Sequence, residues 1–163
     1  ACQQLGLKMV KSYTTKPMRD SETSETSDHI FIQPEDVDRY RSNMVAYTII
    51  NGYEYFVTSD ILSQSDVYVI DPNGIDSLIR NVGESYRFVQ IYISTPYKIA
   101  LKRAIKRGDK NFEERRISEN SQFEQYEKNE PWDYFIGNTG DFESTVEVLV
   151  NIVRNNWEGK NIE

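Results

Sequence analysis

The sequence has few of the residues on which metal, disulfide and triad chemistry depend. It contains one cysteine, Cys2, and one histidine, His29, among 163 residues. A single cysteine cannot form a disulfide within the chain, which fits a reducing, cytoplasmic compartment. A single histidine argues against a histidine-rich metal site or a Ser-His-Asp triad, so we expect no metal held by the protein alone.

Long apolar runs and excess positive charge are also missing. No apolar run approaches the ~18 residues that a membrane span requires, so we expect no membrane segment. The formal net charge is −7, whereas a general nucleic-acid binder carries a basic surface. We therefore expect neither a membrane nor a nucleic acid as partner, although this balance leaves room for a local basic pocket that binds a small polyanion.

The chain has an ordinary composition for one folded domain, with 38% hydrophobic and 28% charged residues. Its apolar patterns alternate between those of strands and helices. Strands are predicted at residues 8–13, 29–32, 67–70, 88–93 and 134–136. Helices are predicted after the turn at residues 71–74, with residues 75, 78 and 79 on one face, at about 97–107 and at 141–157. This alternation favours an α/β fold with a mainly parallel sheet flanked by helices.

Turn signals place the remaining elements. Asn51-Gly52, between residues 45–50 and 53–57, is typical of a β-hairpin. Pro34 suits the first turn of a helix that would run through Arg41. The hairpin is therefore expected to form an antiparallel layer apart from the parallel sheet.

The most informative segment follows the first strand, where hydroxyl groups precede two cations in a polar loop. It reads S-Y-T-T-K-P-M-R-D-S-E from Ser12 to Glu22. Hydroxyl donors and an arginine fork suit a phosphate dianion, because charge-assisted hydrogen bonds are short and strong. The alternative interpretation is a solvated surface loop.

The order of motifs along the chain resembles that of guanylate kinases, which are P-loop nucleoside-monophosphate kinases. Residues 12–22 resemble the family's S-x-T-T-R-x-x-R-x-x-E, and residues 51–55 resemble its G-N-Y-Y-G hairpin. The strands L-D-I-D-x-Q-G, F-I-x-P-P and V-V-V-N and the element R-L-x-x-R-G have counterparts at residues 67–74, 91–96, 134–138 and 102–108.

The resemblance implies one guanylate-kinase-like domain over residues 1–163. Its P-loop NTPase-type parallel sheet would carry a small antiparallel monophosphate-binding subdomain at about residues 28–60 and a helical lid at about residues 107–130. The implied reaction transfers the γ-phosphate of ATP to GMP, with Mg²⁺. Such catalysis works by positioning and by neutralising charge.

The same resemblance assigns residues to that reaction. The acceptor would be held by Ser12, Lys16, Arg19, His29, Tyr55 and Asp71. The lid arginines Arg107 and Arg116 would neutralise charge on the transferring phosphoryl group, and Asn138 would lie near the adenine of ATP.

Structural roles compete with several of these assignments. Tyr55 also suits a cross-strand aromatic pair, and Asp71 before Pro-Asn-Gly also suits a turn or a helix cap. The lid arginines belong to a run of seven cations at residues 102–116, a pattern that is also typical of a solvated helical face.

Five positions depart from the family pattern, one of them Val69, where the family strand has its first aspartate. Lys16 replaces an arginine and loses its bidentate fork, and His29 replaces a tyrosine. Ala46 stands where the family has its guanine-reading glutamate, and Val57 stands where a serine is expected. Without hydrogen-bonding groups a site discriminates weakly between bases, so a kinase for another monophosphate stays open.

The chain contains no G-x-x-x-x-G-K-[ST] motif, whose backbone amides would hold the ATP phosphates. We expect that loop within about two helical turns upstream of Ala1, since a mean helix has about 11–12 residues. Residues 1–163 alone would then transfer no phosphate at an enzymatic rate. The alternative is a non-catalytic guanylate-kinase-like module that binds a phosphorylated or acidic partner.

Overall fold

The computed structural model describes residues 1–19 and 22–156, except for the side chains at 118 and 119. A short helix, α1 (Cys2–Leu5), begins the chain. The remainder divides into two compact units. We call residues 7–87 the N-terminal unit and residues 88–156 the C-terminal unit.

The N-terminal unit is built on a four-stranded sheet with the order β2-β1-β4-β3. Its strands are β1 (Ser12–Thr14), β2 (His29–Phe31), β3 (Met44–Ile50) and β4 (Tyr53–Thr58). Strand β1 is parallel to β2 and antiparallel to β4. The β3–β4 hairpin turns at Asn51 (φ 52°) and Gly52 (φ 80°), which is the left-handed geometry that the Asn-Gly pair predicts.

One face of this sheet carries the aromatic core. The rings of Tyr13 and Phe56 are stacked 5.0 Å apart, and Tyr40 lies 4.6 Å from Tyr13 and 5.6 Å from Phe56. Phe56 is completely buried. Because side chains alternate along a strand, Tyr55 and Val57 face the opposite side.

Four helical segments complete the N-terminal unit. They are two 3₁₀ helices (Pro34–Arg39 and Arg41–Asn43), α2 (Ser59–Ser63) and α3 (Pro72–Val82). The helix predicted at residues 34–41 is therefore of the 3₁₀ type. Ion pairs three residues apart, Arg39 with Asp36 at 2.8 Å and Arg41 with Asp38 at 2.7 Å, suit this geometry, because side chains three apart eclipse in a 3₁₀ helix.

The C-terminal unit contains one parallel strand pair, β5 (Ile91–Ser94) and β6 (Tyr134–Gly137). Its helices are α4 (Tyr97–Lys106), α5 (Phe112–Asn129) and α6 (Phe142–Asn156). Tyr92 of β5 stacks on Trp132 at 4.8 Å and lies 5.6 Å from Tyr126 of α5. This aromatic group joins the end of α5 to the strand pair.

The continuous parallel sheet expected from the sequence is not confirmed by the described residues 1–19 and 22–156. Residues 67–70 form a single parallel bridge, between Met9 and Val67, and do not extend it into a strand. Beyond Val10 the chain leaves this partner because β1 hydrogen-bonds with β4 and β2. Val69 is 78% exposed. The sheet of the N-terminal unit is mostly antiparallel, because two of its three strand pairs, β1–β4 and β3–β4, are antiparallel.

The predicted buried strand at residues 88–93 is also shorter and more exposed. The amide of Gln90 donates to Asp133 Oδ2 at 2.7 Å, so a carboxylate takes the place of a strand carbonyl there. Strand β5 begins at Ile91, and Ile93 is 44% exposed.

The last helix agrees with its prediction over the described residues. It runs from Phe142 to Asn156 and buries Val150, whereas position 157 lies outside the described residues. Among the described helices, none is both long enough and apolar enough to span a membrane.

Candidate functional site

The candidate site includes the first residues of the paired parallel strands β1 and β2. Register pairs Ser12 of β1 with His29 of β2, and Ser12 Oγ lies 2.9 Å from His29 Nδ1. Ser12 is buried and His29 is half-buried. Burial lowers the pKa of His29, and the nearby ammonium of Lys16 lowers it further.

Tyr55 of β4 adds a phenol to this pair. Its cross-strand neighbours are Thr14 and Thr48, and its ring meets that of His29 edge-on at 5.4 Å. Burial raises the pKa of Tyr55, whereas a hydrogen bond with Thr14 and the charge of Arg19 oppose that rise. The residues beside Tyr55 on the neighbouring strands therefore carry hydroxyl groups, and the aromatic contact of Tyr55 is with His29.

The loop after β1 is fixed by its own hydrogen bonds. The Thr15 amide donates to the Glu54 carbonyl at 3.1 Å and the Glu54 amide donates to Thr15 Oγ1 at 2.9 Å, which extends the contact between β1 and β4. The Lys16 amide donates to Thr14 Oγ1 at 3.1 Å. This geometry brings the loop cations toward the residues at the ends of β1 and β2.

Glu22 lies among these cations. It accepts a hydrogen bond from the Arg19 amide at 3.1 Å and forms a 3.5 Å ion pair with the Arg19 guanidinium. The Arg19 amide lowers the pKa of Glu22 most, followed by Lys16, Arg19 and His29. The Arg19 side chain is 60% exposed, yet its charge acts on Glu22 and Tyr55.

Together these side chains form one group of hydroxyl, imidazole and cationic donors around a single carboxylate. We call it the cationic cluster: Ser12, Lys16, Arg19, Glu22, His29 and Tyr55. Five of its members are those that the sequence predicts for the acceptor phosphate. Glu22 was not among those predicted, although it matches the last position of the S-x-T-T motif.

Asp71 lies beside the same sheet face. Thr48 Oγ1, from the residue paired with Tyr55, donates to Asp71 Oδ2 at 3.0 Å. Burial raises the pKa of Asp71, while Thr48 and the amides of the first turn of α3 oppose the rise. A Cβ at Gly74 would lie 2.8 Å from Asp71 Oδ1 and 2.7 Å from Ile70, so only glycine permits this close approach.

Asp71 stands at the N-cap position of α3. Its carboxylate accepts from Thr48 of the sheet and is also bonded by the amides of Asn73 and Gly74, so its position suits both the cap interpretation and the site interpretation. Thr48 was not predicted as part of the site. Strand alternation could have indicated it, because Thr48 lies two residues from Ala46 and on the same face.

The positions expected to read the base are apolar and enclosed. Ala46 and Val57 are cross-strand partners in the β3–β4 pair. Their exposures are 1% and 0%, so neither presents a surface to a ligand. Thr48, two residues from Ala46, and its partner Asp71 supply polar groups on this face.

The lid arginines predicted from the sequence make contacts within the C-terminal unit. Arg107 lies 3.6 Å from Asp109, which also binds Arg115 at 2.5 Å. The guanidinium of Arg116 lies over the ring of Tyr97, 5.1 Å from its centroid, and the Tyr97 hydroxyl donates to Glu113. The predicted lid segment thus forms the mostly exposed helix α5, and these contacts join it to α4.

Asn138, predicted near the adenine, is held at the end of β6. Its side-chain oxygen accepts from Thr145 Oγ1 at 3.3 Å. Its carbonyl accepts from Arg103 at 3.2 Å, and Arg103 also binds the Gly140 carbonyl at 3.0 Å. Arg103, which was not predicted, therefore orders the loop that follows β6.

Metal and ATP sites are judged by the donors that the chain supplies. No group of three or more His, Cys, Asp or Glu side chains within the described part of the chain is arranged to hold a metal ion. Mg²⁺ at phosphoryl-transfer sites uses one or two carboxylates together with substrate phosphates, which Asp71 fits. The residues present do not fit an ATP phosphate cradle, because the sequence has no G-x-x-x-x-G-K-[ST].

Comparison with known proteins supports the fold. No family model matches the chain, and no curated protein matches it. Among solved structures, it is similar to a guanylate kinase from Anaplasma phagocytophilum, with a TM-score of 0.65 and 21% sequence identity. The match covers 93% of this chain and 77% of that one. The chain therefore has a mixed α/β, guanylate-kinase-like fold.

Proposed function

We propose that the cationic cluster binds the phosphate of a nucleoside monophosphate, as the acceptor site of a guanylate-kinase-like phosphotransferase. The observation that carries this proposal is the convergence of Ser12, His29 and Tyr55 with the cations of one loop. These residues come from three strands and a loop of the N-terminal unit. A solvated loop would not need a buried serine and a half-buried histidine at its base.

The cluster suits a phosphate monoester for physical reasons. Lys16 and Arg19 supply two positive charges, and charge-assisted hydrogen bonds to phosphate are about twice as strong as neutral ones. His29 and Tyr55 add donors that depend on orientation rather than on full charge. The acceptor phosphate would lie between the loop cations and the ends of β1 and β2.

GMP is the acceptor that the fold suggests, but the base contacts predict weak selectivity. Ala46 and Val57 offer neither donors nor acceptors and are enclosed. Thr48 and Asp71, which share a hydrogen bond, are polar groups on this face. We therefore propose phosphorylation of GMP with a modest preference over other monophosphates.

For the transfer itself we propose that Arg107 and Arg116 neutralise charge, as arginines do in phosphoryl transfer. ATP is the proposed donor, with Mg²⁺ beside Asp71 and the adenine near Asn138. When bound, ATP supplies the phosphoryl group. The residues of this chain orient the acceptor and supply the arginines, whereas the P-loop is proposed to lie upstream of residue 1.

A non-catalytic binding module is the second candidate. It is favoured by the internal contacts of Arg107 with Asp109 and of Arg116 with Tyr97, because these side chains must be released before they can reach a transferring group. In this case the cationic cluster would bind a phosphorylated partner.

Two measurements test the proposed function. Calorimetry with the 163-residue chain should show binding of GMP and of AMP, but not of guanosine, since the phosphate supplies most of the attraction. The protein with its upstream sequence should then give kcat/KM values for GMP and AMP within about tenfold of each other, or about 1.4 kcal/mol. Equal binding of guanosine and GMP would exclude the phosphate site, and binding without phosphorylation would favour the binding module.

A further inference from the structure

Glu22 has no role in the function proposed above, yet it contacts the central cation of the cluster. Its carboxylate accepts from the Arg19 amide at 3.1 Å and pairs with the Arg19 guanidinium at 3.5 Å. The Glu22 side chain is 23% exposed, compared with 60% for Arg19. The Glu22 side chain is therefore less exposed than the guanidinium with which it pairs.

The charges around Glu22 are those that a phosphate would use. Lys16, Arg19 and His29 all lower the pKa of Glu22, after the larger effect of the Arg19 amide. The carboxylate is thus ionised at neutral pH. In the absence of a ligand it offsets one of the two full positive charges supplied by Lys16 and Arg19.

We propose that Glu22 is a resident anion of the acceptor site, which competes with the acceptor phosphate for Arg19 and so weakens phosphate binding. This inference rests on the proposed function, in that the cluster must bind a phosphate. One carboxylate of the same loop would then set the affinity of the site for phosphate.

The competition follows from geometry. Glu22 is three residues from Arg19 in the chain, so its carboxylate is always close to the guanidinium and acts at a high effective concentration. A phosphate can bind Arg19 more strongly than Glu22 does, because a dianion has a larger charge and more acceptor oxygens. Each binding event must nevertheless displace an existing ion pair or tolerate a nearby like charge.

Glu22 could instead position Arg19, because it accepts the Arg19 amide. The substitution Glu22→Gln separates the two roles. Glutamine retains a side-chain oxygen that can accept from the same amide, but it removes the negative charge. A positioning role predicts unchanged or weaker phosphate binding in E22Q, whereas a competing role predicts tighter binding.

The test is calorimetric titration of the 163-residue chain with GMP, and with guanosine as the probe that lacks phosphate. The matched control is Glu25→Gln in the same loop, since the Glu25 side chain is exposed and makes no hydrogen bond or ion pair with the described residues. We expect E22Q to lower the Kd for GMP by about tenfold, which corresponds to about 1.4 kcal/mol. E25Q should change it by less than about twofold, and neither variant should bind guanosine more tightly.

The outcomes separate the two proposals. If the unmodified chain binds GMP and E22Q binds it equally or more weakly, the resident-anion inference is wrong and the acceptor site stands. If neither protein binds GMP, the acceptor site and this inference are both wrong. Equal gains in E22Q and E25Q would show a general charge effect and would also overturn the inference.

Discussion

The two units of the chain bury their side chains to different degrees. The largest fully buried side chains of the described residues, Phe56, Val37, Val57 and Thr14, all belong to the N-terminal unit. In the C-terminal unit Phe142 is 75% exposed, and the strand pair leaves Phe135 57% exposed. A four-stranded sheet encloses its core, whereas a pair of strands leaves apolar side chains uncovered.

The two units also hold their cations differently. In the N-terminal unit, strand register brings Ser12 and His29 together, and a short loop adds the cations. In the C-terminal unit each proposed catalytic arginine already contacts a neighbour, Arg107 with Asp109 and Arg116 with Tyr97. The comparison indicates that strand register assembles the cationic cluster within the N-terminal unit, whereas Arg107 and Arg116 are held by contacts within the C-terminal unit.

The largest expected effect concerns the enclosed core. Phe56→Ala removes a completely buried ring that contacts Tyr13 and Tyr40. It should lower the free energy of unfolding by about 3–5 kcal/mol, measured by urea denaturation. The matched control, Phe142→Ala at a 75% exposed position, should change it by less than about 0.5 kcal/mol. Similar losses in both variants would contradict the difference in burial between the units.

The next effect concerns the cationic cluster. Arg19→Ala should weaken GMP binding by about 10- to 100-fold, because hydrogen bonds to charged groups contribute about 1.5–3 kcal/mol. Arg116→Ala should leave GMP binding within about twofold, since its guanidinium contacts Tyr97. Arg39→Ala, which removes an exposed ion pair with Asp36, is the control for net charge. Calorimetry checks all three, and an equal loss from Arg39→Ala would show that only overall charge matters.

The smallest effect is on pH dependence. The pKa of His29 is below 6.5 in the folded chain, chiefly because of burial and then because of Lys16. The unfolded chain therefore binds more protons just below pH 6.5, and stability should fall as pH falls through that value. His29→Gln should remove this part of the slope. Parallel unfolding curves of both proteins above and below pH 6.5 are the measurement, and identical slopes would contradict the assignment.

Local signals in the sequence predicted local structure well. The Asn51-Gly52 hairpin, the helix that follows Asp71 and the helix after Pro96 follow from turn and cap chemistry, which acts within a few residues. The strand at residues 67–70 was not confirmed, because a strand requires neighbours and these depend on the whole chain. Similarly, the apolar pattern at residues 88–93 did not indicate that the Asp133 carboxylate would accept the hydrogen bond of the Gln90 amide.

The candidate site likewise combines residues that are close in sequence with residues that only the fold brings together. The order of Ser12, Lys16 and Arg19 along residues 12–19 led to the prediction of a phosphate site, because those residues are close in sequence, and this site stays a prediction. The bond between Thr48 and Asp71 depends on the β3–β4 register and on the close approach at Gly74. Neither can be read from a motif, so Thr48 was missed.

The parallel pairing of β1 with β2 restricts how this protein can change its loop. Parallel strands require a crossover of about a dozen residues or more, and here residues 15–28 alone provide it. The segment that carries the cations is therefore also the connection that allows the two strands to lie side by side. Over evolutionary time, insertions in this segment should be tolerated. Deletions should be rare, because a loop too short to connect the two strands would separate Ser12 from His29 even if it kept its cations.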